Sequence, residues 1–600
     1  VDPFKNFTVQ RDWNKLIVEI AGAFIRQAKD LQLSPEETRQ RINALKTSHP
    51  LLEMGSAIYA DYQRGLNYRG AADFDDLVRL ALQALKSDPD FLERLRRRWP
   101  FILEDEAQDS SRLQEEILRL LVGQTGNWVR MGDPNQAIYE TFTTASPQFL
   151  IDFMQQPGVI RQNLPNSGRS TRSIIALANY LINWSMNEHP NPALRSALTT
   201  PMIEPAPRGD PQPNPPDQPD SIWLYNNPFE PEAEINAVAR SLQKWLPDHQ
   251  TATVAVLVPR NERGTKMVEA LKHAGIEYIE LLRSSISTRE TAELLTRILR
   301  VLADPSSAIK LARFYKGLRD RNDANDAQRA VYTSVEELIR KCHHLEDYLW
   351  PTPDADWPER QHLQGADQAV VDELDRLRQW IDRWQQAALL PVDQLLLTIA
   401  QDLFSDAAEL ALSHKLALAM EQTARFHPEW RLEEFALEME NIALNRRKFL
   451  GLGEEDTGFD PDKHKGKVVV ATIHKAKGLE WDRVYLMSAS NYDFPSGEAI
   501  DPYIPEKWYV RSRLNLPAET LARLKALAAN DLAGIYMEEG AATQLARSEY
   551  AAERLRLLYV AITRARKELV ITWNTGRRGE NVEALAVTAL RRYWEEQNGH

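Results

Sequence analysis

Residues 101 to 111, FILEDEAQDSS, place Glu104, Asp105, Glu106 and Asp109 around Gln108 directly after an apolar run. Carboxylates are expensive to desolvate unless they are paired or bound to a cation. The run is therefore either a solvated strand end or a cation site. A hard cation such as magnesium takes oxygen ligands, often one or two carboxylates plus nucleotide phosphates, and a neighbouring Glu can orient or deprotonate a water. By itself the DExxD pattern leaves both readings open.

Three further constellations carry chemistry. In GDPNQAIY, 132 to 139, Gly132, Asp133 and Pro134 suit a turn, and the Gln136 amide can hold both a water and a phosphate oxygen. Arg169 in PNSGRST and Arg564 in LLYVAITRARKEL are of types usually found at the surface; at a domain boundary such an arginine can neutralise charge on a transferred phosphoryl group. Leu555, Leu558 and Ile562 supply a core face before Arg564, with Tyr559 beside it. In TIHKAKGLEW, 472 to 481, no second histidine stands at ligand spacing from His474. With Lys475, Lys477 and the permissive Gly478, this basic strand-end loop suits a phosphate backbone.

These residues need a scaffold of strands and helices. FILED reads as a short buried strand, and Ser111 with Gln114 makes a capping-box spacing ahead of the helical face Leu113, Ile117, Leu120 and Leu121. A second strand, NWVRMGD, leads into GDPNQAIY. Strand, carboxylate turn, helix and strand suit a parallel α/β sheet with its site at the carboxyl ends of strands. Residues 12 to 65 have helical spacing with a cap in LSPEE, GAADFDDLVRLALQAL begins another helix, and RSTRSIIALANYLINW a further one. The proline-dense stretch 201 to 221 is an extended connector. TVAVLVPRN, KVVVATIH and ELVITW read as buried strands, whereas about 305 to 450 reads as amphipathic helix.

The 600 residues imply several domains, and 43% hydrophobic with 26% charged residues suits a globular protein. No apolar run is long enough to cross a bilayer, and VDPFKNFTVQRDW lacks a signal-peptide core, so an intracellular setting, cytoplasmic or nucleoid-associated, is expected. The single Cys342 excludes an internal disulfide framework and cysteine-built zinc sites. A net charge of -13 argues mildly against nucleic acid without excluding a local basic channel.

In order and spacing, DFDDL, DEAQD, GDPNQAIY, the Arg-Ser-Thr segment, TIHKAKGLEW and RLLYVAITRA resemble the motifs of UvrD/Rep-type superfamily 1 DNA helicases, from about residue 55 to 575. The resemblance implies two RecA-like parallel-sheet domains, the first incomplete, with helical insertions. The expected division is 1–66, helical insertion of the first core domain; 67–158, the remainder of that domain; 159–304 and 465–600, the second RecA-like domain with the C-terminal tail; and 305–464, its helical insertion.

The same resemblance implies ATP and magnesium as cofactors. Asp105 would hold the metal, Glu106 would activate water, Gln136 would sense the γ-phosphate, and Arg169 and Arg564 would reach it from the second domain. Glu480 would touch the nucleotide sugar. Arg260, Asn261, Thr472 and His474 match positions lining a single-strand path, with Tyr139, Phe142 and Trp481 as candidate stacking platforms. The implied activity is 3'-5' translocation on single-stranded DNA or unwinding at single/double-strand junctions, driven by closure of the cleft between the two domains. The rivals are a noncatalytic DNA-binding or scaffold protein and the motor of a recombination nuclease complex. The tail after 575 is too short for a nuclease domain, so nuclease activity needs a partner.

Three departures from the family pattern stand out. YETFTTA replaces an aromatic and an Arg-Gly-Ala triplet, Ser167-Gly168 replaces Asn-Tyr, and no GxxxxGK[ST] phosphate loop occurs. RNERGTKM and HKGKVVV hold Gly-Lys elements in the wrong context. Either the chain is N-terminally truncated or it binds DNA without turnover. Packing favours truncation, because without the loop-bearing strand FILED loses a neighbour and exposes backbone groups.

Overall fold

The computed structural model describes residues 6–124, 126–138, 146–218, 220–282, 286–321, 325–352, 368–443 and 459–598. Two compact units form, Val1–Ile279 with Pro461–His600, and Glu280–Asp460.

In the first unit, helices Asn6–Asp30, Pro35–Asn43 and Pro50–Tyr68 precede Phe74–Ser87. Local chemistry explains their ends. Ser34 and Glu37 form a reciprocal capping box, and the Asp73 carboxylate caps the Phe74–Ser87 helix through the Asp76 amide at 2.8 Å. The fully buried Lys29 joins them, its Nζ 2.6 Å from Asp73 and 2.8 Å from Asp76, so DFDDL serves here to lock helices together.

Strands β1 (Ile102–Glu104) and β2 (Trp128–Arg130) pair in parallel, with Leu103 opposite Val129. Between them Ser111 and Gln114 form the expected capping box on helix Arg112–Val122. This is a two-stranded sheet among the described residues, and Leu103 and Val129 are 72% and 51% exposed. Such exposure is unusual for the centre strands of a parallel sheet, which are ordinarily covered on both faces.

The second sheet has six strands: β3 (Ile222–Leu224), β4 (Val254–Val258), β5 (Tyr278–Leu281), β6 (Val468–Thr472), β7 (Trp481–Leu486) and β8 (Ala565–Ile571), in the order β3-β8-β7-β4-β6-β5. The pairings from β3 through β6 are all parallel. Every residue of β4, β6 and β7 is buried, which is why β4 and β6 read as apolar runs without alternation, whereas β7 buries Asp482 and Arg483 as paired groups. The fully buried Trp481 begins β7 and serves as core. The proline-dense connector contributes one short parallel pairing, Asn166–Ser167 with Glu204–Pro205.

A segment between β7 and β8 returns to the N-terminal helices. Leu524, Ala526, Leu527 and Ile535 share a core with Phe24, Ile25, Leu52 and Tyr59, and Tyr509, Val510 and Leu514 share another with Leu16 and Ile20. Arg41 Nη1 donates to the carbonyls of Leu527 and Ala528 at 3.1 and 3.2 Å, satisfying the C-terminal end of helix Leu516–Ala528.

Beyond the end of β5 the regular elements of the second unit's described residues are helices, with a core that includes Trp384, Tyr315 and Tyr348. No described helix is long and apolar enough to cross a membrane. The architecture is the expected one: parallel α/β sheets with flanking and inserted helices.

Candidate active site

The carboxylate knot divides by direction. Glu104, on the last residue of β1, turns inward to Arg130 Nε at 2.7 Å, and Arg130 also meets Glu115 at 2.9 Å. Asp105 and Glu106 lie beyond the strand end and are exposed. Glu106 has φ 52° and ψ 38°, the left-handed region that non-glycine residues seldom occupy. Strain of this kind persists where surroundings over-determine it, and it clusters at functional sites. Here Asp105 Oδ1 accepts from the Glu106 amide at 2.9 Å, and the Ala107 amide donates to the Met131 carbonyl at 2.9 Å.

Gln108 is almost wholly buried and links the two strand-end loops. Its Nε2 donates to Glu106 Oε2 at 2.5 Å, and its Oε1 accepts from the Asp133 amide at 3.0 Å. Gly132 permits this approach, since a Cβ there would overlap Gln108 Oε1 and lie 2.9 Å from Leu150 Cδ2. Asp133 in turn caps the short turn Pro134–Gln136, accepting from the Asn135 amide and from Gln136 Nε2, each at 2.9 Å. Burial pushes the Asp133 carboxyl upward, opposed by the Gln136 hydrogen bond.

The second sheet reaches the same loops. Helix Ala541–Ile562 is buried along its last turns, and Arg556 Nε donates to the Ala137 carbonyl at 2.6 Å. Arg564 is fully buried, donating to the carbonyls of Val560 and Leu479 at 3.2 Å each, and its Nη2 stands 3.5 Å from Gln136 Oε1. Burial, then the neighbouring Arg169 charge, lowers its pKa to about 10, so it remains a cation at neutral pH. Arg169 is ion-paired with Glu480, which Arg566 approaches at 3.8 Å.

The TIHKAKGLEW loop is arranged differently from the basic backbone-contacting loop expected. Lys477 Nζ turns to the carboxylate turn, 3.2 Å from Glu106 and 2.5 Å from Asp109. Burial raises the Asp109 carboxyl, and Lys477 opposes that rise. His474 is held neutral: burial, reinforced by Arg554, pushes its pKa down to about 4. Thr472 ends β6 and is buried, and Asn261 opens helix Asn261–His273. Arg260 pairs with Asp493 at 2.7 Å and lies 4.7 Å from the centre of the Tyr492 ring. Tyr139 and Phe142 lie outside the described residues.

Two family models match the chain: the UvrD/REP helicase N-terminal domain over residues 5–157 and the UvrD-like helicase C-terminal domain over 420–576. The chain belongs to the UvrD/Rep-type helicase family. It is 30% identical over 267 residues to the ATP-dependent DNA helicase UvrD2 of Mycobacterium tuberculosis, covering 43% of this chain and 35% of that protein. It is 25% identical over 490 residues to UvrD1 of the same organism, covering 76% and 58%. With DNA helicase II of Escherichia coli it shares 24% identity over 504 residues, covering 80% and 62%. The chain thus spans from about a third to three-fifths of the length of these curated relatives.

Against the helicase motifs, Glu106, Gln136 and Arg564 come together, with Arg169 and Glu480 beside Arg564. Asp105 stands at the open end of β1. The side chains that sequence reasoning missed are Gln108, Asp133, Arg556 and the inward turn of Lys477. The glycine before Asp133 was the available signal for close packing of the two loops; no spacing pattern points to Arg556 or to the direction of Lys477.

Proposed function

We propose that the chain carries most of an ATP-driven DNA motor that moves 3'-5' on single-stranded DNA and opens single/double-strand junctions. The observation that carries this reading is the convergence of both sheets on one region: Arg564 beside Gln136, and Lys477 beside Glu106.

In this reading Glu106 accepts a proton from the attacking water, Gln136 fixes that water against the terminal phosphate, and the two arginines offset charge on the transferred phosphoryl group. Glu480 meets the sugar once Arg169 turns to phosphate. Among the described residues no group of three His, Cys, Asp or Glu side chains forms a metal cage. The exposed Asp105 carboxylate fits magnesium, which is commonly held by one or two carboxylates together with substrate phosphates. Magnesium supplies charge neutralisation on the phosphates when bound. Arg260, Asn261, Thr472 and His474 line the strand path, joined by Tyr139 and Phe142 as stacking faces, and residues 305–464 form the helical insertion of the second core domain.

The test is DNA-stimulated ATP hydrolysis by the complete gene product and by Glu106→Gln. Turnover is expected to disappear in the variant while nucleotide binding survives; unchanged turnover would sink the water-activating role. A noncatalytic DNA-binding protein shows DNA binding with no magnesium-dependent hydrolysis in the same assay. A nuclease partner would be recovered with the complete gene product by co-purification.

A further inference from the structure

A groove of about 520 Å³ lies between the Asn6–Asp30 helix and the loop from Tyr492 to Arg513. None of its lining residues belongs to the Glu106–Arg564 cluster. Its floor is packed: Leu16 and Ile20 meet Tyr509, Val510 and Leu514 in one buried core.

Aromatic faces line it. Trp508 is 54% exposed, and Tyr492 lies on the wall while its ring also meets the Arg260 guanidinium. The groove is therefore continuous with Arg260, the residue that the helicase reading places on the strand path. Charge is distributed unequally in a useful way. All four acidic side chains of the lining have partners: Glu506 pairs with Arg547, Glu19 with Lys507 at 3.4 Å, Asp501 accepts from Asn491 and Ser496, and Asp12 is also engaged. Two of the basic side chains, Lys15 and Arg513, are exposed and have no ion pair among the described residues. Ser512 and Arg513 both adopt left-handed backbone, φ 57° and 51°, and the buried Val510 and Leu514 on either side hold that strained turn in place. Free cations beside an exposed indole are the combination that single-stranded nucleic acid requires: phosphate contacts for the backbone and a ring for the base.

We infer that this groove is a nucleotide-stacking site that extends the single-strand path beyond Arg260, with a base against Trp508 and adjoining phosphates at Lys15 and Arg513. The inference rests on the DNA-binding reading above.

The test measures binding of dye-labelled oligodeoxythymidylates of increasing length to the full chain by fluorescence anisotropy. Affinity of the unsubstituted protein is expected to rise with length. Trp508→Ala is expected to remove about ten-fold of the affinity for long oligonucleotides and leave short ones unchanged, whereas Trp508→Phe keeps most of it. Lys15→Glu combined with Arg513→Glu is expected to reduce the slope of log affinity against log salt by about one to two. All three positions are exposed, so the thermal midpoint serves as the folding control. If the unsubstituted protein binds no oligonucleotide, the DNA reading falls and the inference with it. If it binds and both variants keep full affinity and slope, the groove assignment alone is overturned.

Discussion

Lys477 Nζ stands 3.2 Å from Glu106 and 2.5 Å from Asp109, so a side chain of the second sheet neutralises the carboxylate turn of the first. The lysine is 8% exposed, which makes the contact stronger than a surface ion pair and makes its removal consequential. It also ties the position of the TIHKAKGLEW loop to the strained residue Glu106.

Lys477→Ala is expected to lower stability by about 1–3 kcal/mol at neutral pH, because Asp109 loses its cation inside the protein. Asp109 already has a raised pKa from burial, and losing Lys477 raises it further. A raised carboxyl pKa means that the folded state holds the proton more tightly, so stability falls as pH rises above the unfolded value. The gap between variant and unsubstituted protein should therefore widen between pH 4 and 7 in urea denaturation. A gap independent of pH would show that the lost interaction is not this ion pair.

His474 works in the opposite direction. Its folded pKa, down to about 4, lies below the unfolded value, so its stability contribution is complete above about pH 6.5 and is lost as pH falls toward 4. His474→Gln, which cannot take up a proton, is expected to remove on the order of 2–3 kcal/mol of acid sensitivity across that window. Urea midpoints for both proteins at pH 7, 5.5 and 4.5 decide it, since other groups titrate alike in each.

Gly132→Ala places a methyl against the buried Gln108 amide and Leu150. Overpacking of this kind is expected to destabilise by about 1–3 kcal/mol. It should also break the bond from the Asp133 amide to Gln108. Gly132→Ala should therefore lose ATP turnover in the complete gene product at temperatures where it remains folded, as read by circular dichroism alongside the assay.

Arg564→Lys keeps the charge and loses the fork that reaches Val560, Leu479 and Gln136 together. A DNA-stimulated ATPase rate reduced by roughly 10³-fold or more is expected if this residue acts on the transferred phosphoryl group. A reduction below ten-fold would assign it to packing.

Arg41→Ala removes the two carbonyl contacts that hold helix Leu516–Ala528 to the N-terminal helices. A loss of about 1–2 kcal/mol is expected, because the substitution leaves helix-end carbonyls without their charged donor. Hydrogen exchange should show faster opening in residues 516–536, with the β4–β8 sheet protected as before.

Local interactions made much of this protein legible as a sequence. Ser34 with Glu37 and Ser111 with Gln114 close their capping boxes within three residues, and β4 and β6 announce themselves as unbroken apolar runs because both faces are buried; β7, with Asp482 and Arg483 inside it, does not. The motif order also marked out Glu106, Gln136 and Arg564 before their proximity was visible. Tertiary structure alone decided where Lys477 points, how Gln108 bridges the two loops, and that residues 509–535 share cores with the N-terminal helices. The reason is physical: Lys477 and Asp109 are 368 positions apart, and contacts at that separation depend on how sheets and helices pack, which leaves no periodicity or spacing in the chain to read.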